Sequence, residues 1–123
     1  KRILYDTNAN KIQEEFLDEN KNPNANNQKI SKIKYKYNPL GKKILVEYFD
    51  TKGKLKEDST GIAKYVYTYD ARGNRLTSNF LGENDKPKEN KEGIASESFT
   101  YDYTTSEKGK LILAENFDKK GQP

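Results

Sequence analysis

Cysteine, histidine, methionine and tryptophan are all missing from this 123-residue chain. The lack of cysteine excludes a disulfide framework, a thiolate metal site and a thiol nucleophile. The lack of histidine removes the side chain that most often serves as a general base near neutral pH. The chain also has no glycine-rich phosphate-binding loop. These absences predict a protein that is not an enzyme, with no catalytic residues, no metal and no cofactor.

Apolar residues are also scarce, at 32% of the chain against 34% charged residues. Such a composition favours disorder, but nine tyrosines and five phenylalanines recur at regular intervals and argue for an ordered structure. No run of about 18 apolar residues occurs, so no membrane-spanning segment is predicted. The sequence begins inside a repeat, without a visible signal peptide. We expect it to be part of a longer array whose export signal or lipid anchor lies outside this segment.

A period of 32 residues runs through the chain. It is carried by four tyrosines and three isoleucines: Tyr5, Tyr37, Tyr69, Tyr101, Ile30, Ile62 and Ile94. Such a period is typical of arrays in which each unit packs against its neighbours. We interpret residues 1–123 as a single array, with units at about 5–36, 37–68 and 69–100 and a partial unit at 101–123. A two-residue insertion is expected in the last unit if Tyr103 takes the place of Tyr101.

Within each unit, apolar residues alternate with polar ones. In the second unit Ile33, Tyr35 and Tyr37 alternate with lysines, and similar patterns occupy 64–69 and 98–101. Alternation with a period of two places one set of side chains on one face of a strand. A second strand is predicted for each unit, at 12–17, 44–49, 76–81 and 112–117. Each unit is therefore predicted to be a β-hairpin.

Turn residues separate the predicted strands. Segments 50–54, 70–74 and 118–121 begin with aspartate and carry glycine three positions later, and 38–41 reads Asn-Pro-Leu-Gly. The leading side chain accepts hydrogen bonds from the following backbone, and glycine adopts the positive φ that closes the turn. This pattern indicates a type I turn with a glycine bulge, a frequent hairpin connection. The polar stretch 53–61 is predicted to be the loop that links one hairpin to the next.

A single hairpin of this composition has too few apolar residues to stay folded alone. Stacking consecutive hairpins would bury the tyrosine face of each unit against its neighbours, and cross-strand aromatic pairs would contribute roughly 0.2–1 kcal/mol each. We therefore predict an all-β fold. In this fold, antiparallel β-hairpin tandem repeats form an elongated twisted sheet or a shallow β-solenoid.

Segment 69–76, which reads Tyr-Asp-Ala-Arg-Gly-Asn-Arg-Leu, closely resembles the core of the YD repeat of RHS-type bacterial proteins. The Tyr-Asp pairs at 5–6 and 101–102 match its first two positions. Segments 48–54 and 61–64 are similar to long-period repeats in exported proteins of spirochaetes and other bacteria. The resemblance implies hairpin repeats, export and surface exposure, and it assigns no catalytic residue. Large RHS proteins wrap such hairpins into a shell around a toxin.

Two features are candidate contact sites. The Lys29–Lys43 region contains no acidic residue and interleaves strand lysines with tyrosines. The candidate contacts are Lys29, Lys32, Lys34, Lys36, Lys42, Lys43 and Tyr103. A cationic strip with aromatic residues suits a polyanion, whereas the competing interpretation is the solvated face of a strand. Tyr103 breaks the repeat register and is expected to be exposed, while the other tyrosines are expected to pack in the core.

These features predict a surface-exposed or secreted bacterial protein that acts as an adhesive, a spacer or a protein-interaction module. Its expected partner is an unknown protein or a polyanionic glycan at the cell surface. Two alternatives stay open: binding of a glycosaminoglycan or nucleic acid through the Lys29–Lys43 region, and a fragment of an RHS-like toxin-encapsulating shell. Nucleic acid is the less expected polyanion because arginine, favoured for phosphate recognition, occurs only three times. Exposed edge strands also predict end-to-end self-association.

Overall fold

The computed structural model describes all 123 residues and contains eight β-strands and no helix. The strands are β1 (Arg2–Tyr5), β2 (Lys11–Glu15), β3 (Lys32–Tyr37), β4 (Lys43–Phe49), β5 (Lys64–Tyr69), β6 (Arg75–Leu81), β7 (Ser96–Asp102) and β8 (Lys110–Phe117). They form one antiparallel sheet in which strand order follows chain order, with β1 and β8 at its two edges. The predicted all-β array of antiparallel hairpins is confirmed, in the form of an open sheet. None of its elements is a helix that is long and apolar enough to cross a membrane.

The pairing register repeats along the sheet. We call the contacts between consecutive hairpins, β2·β3, β4·β5 and β6·β7, the joints. At their centres the joints pair Glu14 with Ile33, Val46 with Tyr65, and Ser78 with Glu97, each pair 32 residues after the one before. Each hairpin also has a register shift at its repeat tyrosine. Because directly opposed residues share a face, this register gives the sheet an aromatic face, which carries Tyr35 and Tyr65, and a polar face, which carries Lys34 and Glu47.

The fourth hairpin keeps Tyr101 as its repeat tyrosine and holds four extra residues in its turn. Tyr101 pairs with Leu111, ten residues further on, whereas Tyr69 pairs with Arg75, six residues further on. The alternative in which Tyr103 replaces Tyr101 after a two-residue insertion is therefore wrong. The strands stay in register because the whole insertion is confined to the β7–β8 turn.

One turn pattern recurs along the chain. The Asp70 N–H donates to the Asn74 carbonyl at 2.9 Å, and the Gly73 N–H donates to the Asp70 carbonyl at 3.1 Å. The Asp70 carboxylate accepts the N–H groups of Arg72 and Asn74 at 3.0 and 2.9 Å. Gly73 has a φ of +87°, which glycine adopts without steric cost. The predicted aspartate–glycine turns are confirmed at this position.

The segments between hairpins are more regular than a simple loop. The stretch 53–61, predicted to be a linking loop, contributes to a short antiparallel bridge and to a further turn. In that turn the Asp58 N–H donates to the Ile62 carbonyl at 2.8 Å, and equivalent bonds begin at Asn26 and Asn90. The sequence carried this signal, since an aspartate or asparagine stands four residues before each repeat isoleucine. Each of these turns places its isoleucine two residues before the strand that enters the next joint, and Ile30 and Ile62 are buried there.

The core is thin and follows the joints. The buried apolar residues are Ile30, Val46, Ile62, Ala63, Phe80 and Ala95. All of them lie in a joint or immediately before the strand that enters it. Tyr35 and Tyr65, which flank Val46 in the register, are only half-buried. The hairpins thus join edge to edge in one layer, and each unit is covered along its joints rather than across its whole tyrosine face.

Candidate functional site

The repeat tyrosines tie each hairpin to the one before it. The hydroxyl groups of Tyr37, Tyr69 and Tyr101 donate to the carbonyls of Lys11, Lys43 and Arg75 over 2.6, 2.7 and 2.7 Å. The acceptor is a backbone group in every case, so the bond does not depend on the side chain at that position. This explains why the position holds tyrosine rather than phenylalanine.

The aromatic face is continuous across the joint between β4 and β5. The Tyr65 ring meets the rings of Tyr48 and Phe80 edge-on, with centroids 6.1 and 5.5 Å apart. Such edge-to-face pairs contribute about 0.5–1.5 kcal/mol beyond the area that they bury. Burial raises the pKa of Tyr48 to about 12. These rings stabilise the joint.

An open groove of about 400 Å³ lies on the aromatic face between the third and fourth hairpins. It is lined mainly by Lys42, Tyr69, Arg75, Phe99, Tyr101 and Leu111. The Arg75 guanidinium lies 4.2 Å from the centroid of the Tyr67 ring, a cation–π contact that holds it in place. No carboxylate lines the groove, so it offers apolar and cationic surface but no pair of groups for acid–base chemistry.

The expectation that Tyr103 is exposed is wrong. Its hydroxyl donates to the Asp70 carboxylate and accepts a hydrogen bond from the Asn74 side-chain amide at 3.0 Å. The Arg72 guanidinium lies 4.4 Å from the centroid of its ring and donates to the Glu107 carbonyl at 2.6 Å. The four extra residues of the β7–β8 turn bring Tyr103 here, over the turn of the preceding hairpin. It is half-buried and holds two turns together.

The structure separates the predicted lysine cluster into different surfaces. Three of its members lie on the polar face of β3: Lys32, Lys34 and Lys36. Lys43 lies toward the aromatic face, with its Nζ 4.6 Å from the centroid of the Tyr35 ring. Lys29 and Lys42 occupy turns at opposite ends of β3. Only the three strand lysines are brought together on one face.

Acidic side chains lie opposite two of these strand lysines. Lys32 lies opposite Glu15 across a joint, and Lys34 lies opposite Glu47 within the second hairpin. Glu47 is also paired with Lys64, whose Nζ is 3.4 Å away. Alternating charges on neighbouring strands stabilise the sheet and weaken the net potential of the surface. The polar face is therefore a mixed ladder of charges.

The first hairpin contains a buried carboxylate. Glu14 is only 7% exposed and occupies the position that Val46 and Ser78 hold in the next two hairpins. The Lys11 ammonium donates to Glu14 Oε1 at 2.6 Å, and the Tyr35 hydroxyl donates to Oε2 at 3.2 Å. Burial alone would raise the pKa of Glu14, but the hydrogen bond and charge of Lys11 bring that pKa below its ordinary value. The group is thus an anion that stabilises its joint.

The strand β8 presents the longest run of exposed large apolar side chains. Leu111, Ile112 and Leu113 are 50, 58 and 48% exposed. The strand is eight residues long and pairs only with β7. A long unpaired strand offers backbone N–H and C=O groups to any further strand. We call the side of β8 that faces away from β7 the open edge.

The opposite edge of the sheet is different. The strand β1 has only four residues, and Lys1 and Arg2 stand at its start. The Arg2 guanidinium donates to the Glu15 carboxylate at 2.7 Å. Short, charged edge strands resist further pairing. Sequence reasoning treated the two edges alike, although the repeat tyrosine pairs with Leu111 in the last hairpin and with lysine or arginine in the other three.

Comparison with protein-family models, curated proteins and solved structures gave no match to this chain. The resemblance of segment 69–76 to the YD repeat therefore rests on those residues themselves. The structure shows a repeating sheet with three distinct surfaces: a mixed-charge face, an aromatic face and an open apolar edge.

Proposed function

We propose that this chain is a non-catalytic repeat protein, secreted or displayed on the bacterial surface, that acts as a spacer, an adhesive or a protein-interaction module. The common register of the three joints is the observation that carries the proposal. A joint whose pairing register recurs without change extends the sheet by whole hairpins, which suits an elongated scaffold. A partner of an interaction module would then bind to the aromatic face or to the open edge.

Antibody labelling tests the location. Antibodies raised against the folded chain are applied to intact and to permeabilised cells of the source organism, and to the culture medium. Labelling of intact cells, or recovery from the medium, is the expected result. Labelling that appears only after permeabilisation would contradict it.

A bead assay separates the adhesive from the spacer. Beads coated with the chain are passed over immobilised host-matrix proteins and glycans under flow. Retention above that of uncoated beads indicates adhesion, whereas a spacer shows no retention by the array itself.

Polyanion binding is a second candidate function, supported by the three lysines that share the polar face of β3. The test is elution from a heparin column in a salt gradient, because lysines that bind sulfate groups release the cations condensed on the polyanion, so added salt weakens binding. Replacement of Lys32, Lys34 and Lys36 by glutamine should lower the eluting salt concentration. The matched control replaces three exposed turn lysines, namely Lys91, Lys119 and Lys120. Equal loss in both variants would reduce the effect to net charge and contradict a β3 site.

A further inference from the structure

We infer that the open edge of β8 docks an extended strand of defined chemistry: glycine, isoleucine, a small residue, lysine and then alternating aromatic residues. This inference rests on the proposed interaction role and names its partner. The docking mode is β-strand addition, in which backbone hydrogen bonds supply affinity and side-chain positions supply specificity. The three joints of the molecule use the same mode, since each second strand receives an entering strand, and segment 61–69 at the second joint has the full set of residues named above.

The sequence of β8 matches that of β4 where β4 forms its joint. Segment 113–115 reads Leu-Ala-Glu, and segment 45–47 reads Leu-Val-Glu. The joint partners of 45–47 are Val66, Tyr65 and Lys64 of β5. Both strands are the second of their hairpin, and both have the equivalent register to the first strand. The open edge thus continues the series of joints by one more position.

Charge selects the residue that enters opposite Glu115. In the two joints whose second strand has glutamate at this position, the facing residue is lysine: Glu15 faces Lys32, and Glu47 faces Lys64. Glu115 is exposed and lies opposite Ser98 within its own hairpin. A docked lysine would therefore complete the pair that the other joints already contain.

The exposure of the surrounding residues shows what a docked strand would cover. Val46 is buried in its joint, whereas its equivalent Ala114 is exposed. Ile62, two residues before the strand that enters the β4·β5 joint, is fully buried. An isoleucine followed by a small residue supplies the side chains that the equivalent joints bury.

The edge strand β1 of a second copy does not have this chemistry. Its Lys1 and Arg2 hold the positions of Tyr65 and Val66, so they would lie against Ala114 and Leu113. Removing two cations from water against an apolar strand is unfavourable. The inferred occupant is therefore a strand of the β5 type.

The test uses the full chain and a fluorescent synthetic peptide with the sequence of residues 57–70, which spans Gly61 to Tyr69. Anisotropy titration gives the affinity, and amide chemical-shift changes in the isotope-labelled chain give the location. The expected result is saturable binding at one site, with shifts centred on β8. A scrambled peptide of the same composition is the control and should not bind.

Two variants of the chain locate the site. The Tyr48 N–H donates across its joint. Alternate N–H groups of a strand point the same way, so the Val46 N–H also points into the joint. The N–H of its equivalent, Ala114, therefore points away from β7. Ala114→Pro therefore removes a docking donor and leaves the β7 pairing intact, and it should weaken peptide binding about tenfold or more. Glu115→Lys should weaken binding about threefold, and a peptide with Lys64→Glu should restore it. Circular dichroism checks that both variants fold.

Absence of peptide binding by the wild-type chain would overturn the inference. It would also be overturned if the folded Ala114→Pro variant bound the peptide with undiminished affinity and the Lys64→Glu peptide did not restore binding to the Glu115→Lys variant. A dimer in sedimentation that Ala114→Pro dissociates would assign the edge to a second copy instead, which also overturns it. The assay needs only purified chain and peptide. Peptide binding without surface labelling of cells would contradict the proposed location alone, and surface labelling without peptide binding would contradict this inference alone.

Discussion

The β4·β5 joint and the open edge of β8 have similar sequences but different surroundings. Val46 is buried in the joint, and its equivalent Ala114 is exposed. Ile62 is fully buried, and its equivalent Ile94, in the last hairpin, is half-buried. For Val46 and Ala114 the difference lies in the presence of a neighbouring strand, which only the joint has. Burial in this protein is therefore conferred by the adjacent unit, as in other linear arrays.

The largest expected effect compares these two isoleucines. Ile62→Ala should lower the free energy of unfolding by about 2–5 kcal/mol, because it leaves a cavity in a fully buried site. Ile94→Ala should cost less than half as much, since its side chain is already partly in water. Urea denaturation of both variants measures the difference. Equal costs would mean that the middle of the array and its last hairpin are buried alike, contrary to this comparison.

The next effect concerns the tyrosine hydroxyl that crosses each joint. Tyr69→Phe removes the bond to the Lys43 carbonyl and leaves that carbonyl without its donor, so we expect a loss of about 1 kcal/mol. Tyr5→Phe is the matched control, because Tyr5 is 60% exposed and its hydroxyl has no partner within the chain. Thermal unfolding compares the two variants. A loss of equal size in Tyr5→Phe would show that removing a tyrosine hydroxyl lowers stability even where the hydroxyl makes no bond across a joint.

A stabilising substitution is expected at the centre of the third joint. The Ser78 hydroxyl is buried without a hydrogen-bond partner, at the position where the second joint has Val46. Ser78→Ala should raise the free energy of unfolding by up to about 1 kcal/mol, because it removes an unsatisfied polar group. Ser59→Ala, in an exposed turn, is the control and should leave stability unchanged. Destabilisation by Ser78→Ala would indicate that the hydroxyl makes a favourable interaction.

The smallest effect is a dependence on pH in the first joint. The pKa of Glu14 is lowered on folding, from an ordinary value of 4.5. Its contribution to stability is therefore present above about pH 4.5 and is lost as the pH falls below it through the folded pKa. Glu14→Gln should make unfolding less sensitive to acid in this range. The control is Glu115→Gln at the open edge, where the acid sensitivity of the wild type should persist.

The architecture was readable from the sequence because its determinants are local and periodic. Alternation at 32–37 and 64–69 predicted strands, and the Asp-to-Gly spacing at 70–73 predicted a turn that the structure contains. The additional turn at Asp58 was missed, although its asparagine or aspartate recurs before every repeat isoleucine. A single layer of hairpins was not distinguished from a solenoid, since both require the same alternation.

The surfaces were less predictable because they depend on pairing between distant strands. Lys32 and Lys34 look like part of a cationic strip in the sequence, but Glu15 and Glu47 come from other strands and lie opposite them. Tyr103 looked like a free residue because its partners belong to the turn of the preceding hairpin. Neither partner is near in sequence, so spacing alone does not indicate it.

Residue-resolved hydrogen exchange of the native chain tests most directly whether neighbouring units confer stability. We expect the highest protection in β3, β4, β5 and β6, whose hairpins have a neighbour on both sides, and the lowest in β1 and β8 at the edges. Protection that is uniform along the sheet, or highest in β7 and β8, would contradict it.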